Sequence, residues 1–167
     1  MSLDVPIKKI MTSQVVSISE NTSLQQIGEL FKAHDFHHLP VVSSDKEVLG
    51  IISREDFSKV AYQIMTKAGE TQRKDALNIQ AGDIMTKKPV SMSMYDELGK
   101  AIEVFLQNKI RAIIIQDEAR TLKGILSAYD ALSFLYQVVA SREIFKQEVI
   151  KEAEDDWEWE TTWEDFF

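Results

Sequence analysis

A chain of 167 residues, 44% hydrophobic, 28% charged and without cysteine, has ordinary globular composition, room for one core or two very small ones, and no disulfide or thiolate chemistry. No apolar run reaches the roughly 18 residues that span a bilayer, and the first residues lack the charged-then-apolar plan of a secretory signal, so the expectation is a cytoplasmic chain without a membrane partner. The net charge of −8 sits at one end: from Glu148 onward nine acids face one base, Lys151, leaving 18 acids and 18 bases before it, a neutral body without the clustered Lys/Arg of a nucleic-acid binder.

In chain order, Val15–Ser17 reads as a short strand after Ile10-Met11-Thr12. Leu24, Ile27, Leu30 and Phe31 recur at helical spacing, an amphipathic helix that Thr22 with Gln25 would cap. Leu39–Val42 and Val48–Ile52 are β-branched-rich runs joined by the polar turn Ser43–Glu47. A helix follows from Ser53, carried by Val60, Ile64 and Met65 to Ala68, with Gly69 as its C-cap and Glu70–Asp75 as a polar linker.

The order then begins again. At an offset of 74 residues, without gaps, Ile84-Met85-Thr86 repeats Ile10-Met11-Thr12, and Val90-Ser91 repeats Val16-Ser17. The register holds for Ser19/Ser93, Leu24/Leu98, Phe31/Phe105, Gly50/Gly124, Ser53/Ser127 and Asp56/Asp130. The second unit therefore predicts a strand at Val90–Ser91, a helix through Leu98, Ala101, Ile102 and Phe105 capped by Asp96, strands at Ile113–Ile115 and Leu122–Leu126 around the turn Asp117–Thr121, and a helix from Ser127. One unit of about 50 residues with three short strands would leave a sheet face bare, and burial against its copy is the remedy.

The chemistry concentrates in Gly50-Ile51-Ile52-Ser53-Arg54-Glu55-Asp56 and its copy Gly124-Ile125-Leu126-Ser127-Ala128-Tyr129-Asp130, each running from a buried strand into a helix. Ser-x-x-Asp at such a junction is first a capping box, the serine hydroxyl accepting from an amide of the first turn. The same junction offers free amides and the positive end of a helix dipole to a phosphate, and an aspartate one turn on that can accept both hydroxyls of a ribose.

Together with the preceding helix, the His38-Leu39-Pro40-Val41-Val42 strand and the Ile-Met-Thr start, this pattern resembles the CBS domain, named for cystathionine β-synthase and found also in AMP-activated kinase and IMP dehydrogenase. The resemblance implies an α/β fold of two β-α-β-β-α repeats packed with pseudo-two-fold symmetry. The first repeat takes residues 5–68, a linker 69–78, the second repeat 79–140, and a C-terminal helical extension with an acidic aromatic tail 141–167. It further implies a regulatory sensor, not an enzyme, that binds AMP, ADP, ATP or S-adenosylmethionine between the repeats with no cofactor required. Carried over by position, Asp56 and Asp130 would hold ribose, while Ser53 and Ser127 face phosphate. Thr12 to Val16 and Thr86 to Val90 would line the base, and His38-Leu39-Pro40 and Ala112-Ile113-Ile114 would close the pockets. Arg54, beside Ser53, is counted with these nucleotide-binding residues. The copies differ where Ala112 stands for His38 and Ile114 for Pro40.

His37 stands where Arg111 stands in the copy; both suit a phosphate contact, with a solvated basic residue as the alternative. His34, His37 and His38 make a poor metal set, because adjacent strand residues face opposite sides and no cysteine completes the ligands. No metal is expected, and His34 reads as a base at a helix C-terminus. Nucleophile-elbow, zinc-protease and Walker-type motifs are all missing. The terminal helices, with Phe57, Val60 and Ile64 and then Leu132, Leu135 and Val139, are expected to meet a second copy in a homodimer. The tail Asp155–Phe167 sets all three tryptophans among acids, an extended strip suited to docking on its own body, a dimer mate or an effector protein. If both boxes are only caps, the chain is a structural adaptor.

Overall fold

The computed structural model describes residues 3–67 and 78–155, with side chains through Ser141. The expectations at Ala68 and Gly69, the linker Glu70–Asp75 and the tail beyond Asp155 lie outside the described residues. The chain divides into a compact unit through Ala131 and a second from Leu132. Within the first are β1 (Ile18–Ser19), α1 (Leu24–Ala33), β2 (His38–Val42), β3 (Val48–Ser53), α2 (Arg54–Lys67), α3 (Ala81–Ile84), β4 (Thr86–Lys87), β5 (Ser91–Met92), α4 (Leu98–Asn108), β6 (Ala112–Gln116) and β7 (Leu122–Ser127). Helix α5 (Ala128–Asp155) begins there and supplies the described part of the second unit. Among the described residues no helix is long and apolar enough to cross a membrane.

Each repeat builds the same sheet, a parallel pair (β1 with β2, β5 with β6) followed by an antiparallel hairpin (β2 with β3, β6 with β7). One difference follows from a single residue. In the second repeat pairing begins at Ser91 with Ile114, whose N–H donates to the Val90 carbonyl at 3.1 Å. The matching residue in the first repeat is Pro40, which has no N–H to give, and pairing begins one residue later, at Ile18 with Val41. The strand expected at Val15–Ser17 is thus displaced to Ile18–Ser19, and that at Val90–Ser91 moves one residue on.

The helix caps also differ from expectation. Ser23, not Thr22, caps α1: its Oγ accepts from the Gln26 amide at 3.3 Å, and Gln26 Oε1 accepts from the Ser23 amide at 3.0 Å. Asp96 does not cap α4. Its carboxylate accepts from the Ser93 amide at 2.9 Å and from Lys100 Nζ at 2.8 Å, while Glu97 occupies the N-cap position without a side-chain bond.

The repeats are joined by exchange of their leading segments. The Ile7 amide donates to the Asp96 carbonyl at 2.9 Å, and the Leu98 amide to the Val5 carbonyl at 2.8 Å. At the matching positions the Ala81 amide donates to Thr22 at 2.8 Å, and the Leu24 amide to Ile79 at 3.0 Å. Each segment then adds to the other repeat's hairpin: Thr86 pairs with Ile51 in β3, and Thr12 bridges Ile125 in β7. The hairpin turns cross as well, the Val48 amide donating to Arg120 and the Leu122 amide to Lys46, both at 3.0 Å, with an Arg120–Glu47 ion pair at 3.1 Å.

Core packing follows the same exchange. Ile18, Ile27, Phe31, Leu39, Val41 and Ile52 form the first repeat's core together with Ala81 of the second, and Ile84 and Met85 pack against it. Ile7 is fully buried, as are Leu98, Ala101, Ile113, Ile114, Ile115 and Leu126 of the second repeat. Each large side chain so placed contributes about 1.5–3 kcal/mol relative to exposure.

Candidate functional site

Both strand-to-helix junctions close as boxes. The Ser53 hydroxyl donates to Asp56 Oδ2 at 2.6 Å and accepts from the Asp56 amide at 3.0 Å. Ser127 donates to Asp130 Oδ2 at 2.6 Å and accepts from the Asp130 amide at 3.1 Å; its own amide also donates to Oδ2, at 2.8 Å. In each aspartate Oδ1 takes no part in the box, and both residues are half-buried.

The helix N-termini are less open than the sequence suggests. The first amide of α2, on Arg54, donates to the His37 carbonyl at 2.8 Å, and that of α5, on Ala128, to the Arg111 carbonyl at 3.0 Å. With the Asp56 and Asp130 amides held by serine, only the Glu55 and Tyr129 amides of each first three have no such partner among the described residues.

The junctions are flanked crosswise. Because Thr86 pairs with Ile51, two residues before Ser53, the second repeat supplies the segment beside the Asp56 junction. Thr12 exchanges two main-chain bonds with Ile125, at 2.9 and 3.0 Å, beside the Asp130 junction. Thr12 and Thr86 are exposed, as are Val16 and Val90. His38 and Ala112 pair with Ser53 and Ser127 across the hairpins and are half-buried. The segment lying beside each hairpin thus comes from the other repeat.

Several expected residues stand otherwise. Leu39, Pro40 and Ile113, with Ile114, are fully buried, so their side chains have no surface to offer a ligand; the central strands are covered on both faces. Arg54 turns away from its helix end. Its Nη2 donates to the carbonyls of His34 at 2.9 Å and Phe36 at 2.8 Å, and the guanidinium lies 5.2 Å from the Phe31 ring centre. Its buried Nε has no hydrogen-bond partner among the described residues. His34 stacks on Phe36 with ring centres 5.1 Å apart. No cluster of three or more His, Asp or Glu suited to a metal ion occurs among the described residues.

The charges gather at the Asp56 junction. Burial, foremost, holds the His38 imidazole below its ordinary pKa; His37 and Arg111 push the same way and Asp56 opposes. Arg111 Nη1 approaches Glu55 Oε2 at 3.7 Å, and Lys59 Nζ holds Glu55 Oε1 at 3.1 Å. Sequence reasoning missed Glu55 and Lys59, which lack counterparts in the copy's motif. It also missed Gly50 and Gly124 as packing sites, although both recur in register beside the repeated Met-Thr.

Two α/β repeats with exchanged leading segments and a polar junction in each define a tandem-repeat module. The family model of the CBS domain matches residues 7–63 and 81–137, and the chain belongs to that family. Among curated relatives, it is 28% identical over 122 residues to a homoserine O-acetyltransferase of Methanocorpusculum labreanum, matching 73% of this chain but spanning 22% of that enzyme. Among solved structures it is similar to CBSX2 in complex with AMP, with 21% identity and a TM-score of 0.68 over 80% of this chain and 97% of that one. It is similar also to a CBS domain pair in complex with 5-methylthioadenosine and S-adenosyl-L-methionine, with 19% identity and a TM-score of 0.66 over 80% and 96%. At these identities the likeness establishes the fold.

Proposed function

We propose that this chain is a regulatory module that binds an adenosine-type ligand, AMP, ADP, ATP or S-adenosylmethionine, in the two clefts between its repeats. The observation that carries this reading is the duplicated junction itself: an aspartate fixed through one oxygen, its other oxygen outside the box, beside a segment lent by the other repeat. Relatives of the same fold solved with AMP and with adenosine sulfur compounds support it. In this reading Asp56 and Asp130 accept ribose hydroxyls, Ser53 and Ser127 face phosphate, and Thr12, Val16, Thr86 and Val90 flank the base. Arg54 acts through the loop it holds. The match to the acetyltransferase takes in 22% of that enzyme, so its chemistry is not carried over.

Because each cleft borrows from both repeats, occupancy changes how they sit together, and an effector protein reads that change. The proposed assembly is a cytoplasmic homodimer. Tyr62 and Met65 on α2 are 68% and 75% exposed, and Leu132 and Tyr136 on α5 are 64% and 72% exposed, faces suited to a second copy. Phe57 leaves that set, since it packs 5.7 Å from Phe31 in the core.

The test is ligand stabilisation. A ligand at 100 times its Kd adds about 2.7 kcal/mol, which at this size raises Tm by roughly 5–10 °C. Melting curves unmoved by AMP, ADP, ATP and S-adenosylmethionine would favour the adaptor reading, in which both boxes serve only as caps; the closed Ser–Asp bonds are what recommend it.

A further inference from the structure

The two clefts carry the same box but different surroundings. Around Asp56 stand His38, Arg111 and His37, with Glu55 held between Arg111 at 3.7 Å and Lys59 at 3.1 Å. His38 lies directly across the hairpin from Ser53. At the matching positions around Asp130, Ala112 replaces His38, Ala128 replaces Arg54 and Tyr129 replaces Glu55, while Arg111 itself replaces His37; its carbonyl accepts from the first amide of α5, but its guanidinium reaches Glu55 at the other junction. No ion pair among the described residues reaches either aspartate; those at the first junction fall on Glu55, whose counterpart Tyr129 is 77% exposed. Glu55, beside Asp56, is thus met by two fixed cations, with the His38 imidazole across from Ser53, whereas the matching positions beside Asp130 hold a phenol and a methyl group.

Resting on the adenosine reading above, we infer that the clefts divide their ligands: His38 and Arg111 make the Asp56 cleft the one for a phosphate-bearing nucleotide, and the Asp130 cleft takes an adenosine whose 5′ substituent is uncharged. A phosphate entering the Asp56 cleft meets Arg111, which can exchange its long contact with Glu55 for a shorter charge-assisted bond, leaving Glu55 paired with Lys59. An imidazole beside an anion gains a proton and a donor. At Ala112 and Tyr129 the same phosphate would find no imidazole and only an arginine whose guanidinium is turned to Glu55, while an apolar thioether needs no such partner.

Calorimetric titration of the full chain with AMP and with 5′-methylthioadenosine tests the division. His38→Ala and Arg111→Ala should each weaken AMP binding by roughly 10-fold and leave methylthioadenosine within about twofold. Asp56→Ala should weaken AMP selectively, by roughly 10- to 150-fold, and Asp130→Ala methylthioadenosine. His38→Gln, which keeps a polar group of similar size, must show the same selective loss, so that a folding defect of the alanine variant cannot imitate the result. Equal loss of both ligands, or AMP binding removed by Asp130→Ala but not by Asp56→Ala, would overturn the division while adenosine binding stands. A wild-type chain that binds neither ligand would overturn both readings.

Discussion

Gly124 packs against the main chain of Thr12 from the other repeat: a Cβ on Gly124 would come within 2.8 Å of the Thr12 carbonyl oxygen and 2.9 Å of Met11 Sδ. Gly50 meets Thr86 and Met85 in the same way, with 2.9 Å to the carbonyl oxygen and 2.6 Å to the sulfur. Neither glycine has a positive φ. The residue is required for space, because the exchanged segment lies against the hairpin with its backbone, which cannot swing aside as the sulfur can.

Gly124→Ala and Gly50→Ala should therefore each destabilise the chain by about 1–3 kcal/mol, the usual cost of forcing atoms into a packed contact. At this length the melting temperature falls by about 2–4 °C for each kcal/mol. Gly82→Ala is the control: its Cβ would meet nothing nearer than the Glu20 oxygen at 3.4 Å, and it lies in a helical turn that favours alanine. Thermal melts of the three variants should show two losses and one neutral or slightly positive change.

The aspartates separate binding from capping. Asp56→Ala and Asp130→Ala each remove a partner of a serine hydroxyl at 2.6 Å, a loss of about 1 kcal/mol if the box is only a cap. If each carboxylate also accepts ribose hydroxyls, binding in its cleft weakens by about 1.5–3 kcal/mol, roughly 10- to 150-fold. Titration and melt of the same samples decide: a stability change with unaltered affinity in both variants rules out the ribose role.

Arg54 anchors the loop between α1 and β2 through two carbonyls and the Phe31 ring. Arg54→Ala should cost about 1–3 kcal/mol, since it leaves two acceptors without their charged donor. Arg54→Lys should recover only part of this, an ammonium lacking the planar fork that spans both oxygens. Denaturant midpoints of the two variants should rank alanine below lysine below wild type.

The duplication, the hairpins and the helices are legible in the sequence because their signals are local: periodic apolar positions, turn residues and one ungapped register. The exchange of leading segments is not, because nothing local says whether Thr12 pairs within its own repeat or across to Ile125. The resemblance alone assigns Leu39, Pro40 and Ile113 to the pockets, and strand alternation cannot show that their side chains are fully buried, each central strand being covered on both faces. Arg54, counted with the nucleotide-binding residues for its place beside Ser53, instead reaches back with its long side chain to carbonyls 18 and 20 residues earlier, which no local signal announces. What the register did carry is the likeness of the paired boxes, since both copies of Ser-x-x-Asp share two bonds, the second adding one from the Ser127 amide.

The half-buried His38 imidazole makes stability depend on pH in a direction that can be worked out. Burial foremost, with His37 and Arg111 adding and Asp56 opposing, holds its folded pKa below the ordinary 6.5. Between the folded value and 6.5 the unfolded chain binds the proton more readily than the native one, so stability there rises with pH. His38 thus favours the fold in full above pH 6.5, and that contribution is lost as the pH falls through the folded pKa. His38→Gln removes the titration and should flatten this part of the profile. Urea midpoints for both proteins at closely spaced pH values from 7.5 down to 5.5 provide the measurement. Other groups titrate in both proteins, so the telling quantity is their difference, which should narrow on acidification as wild type loses what the variant never had. A difference that stays constant across the range would mean His38 meets the same surroundings folded and unfolded. A difference that widens toward low pH would mean Asp56 outweighs burial, His37 and Arg111, placing the imidazole as that carboxylate's partner.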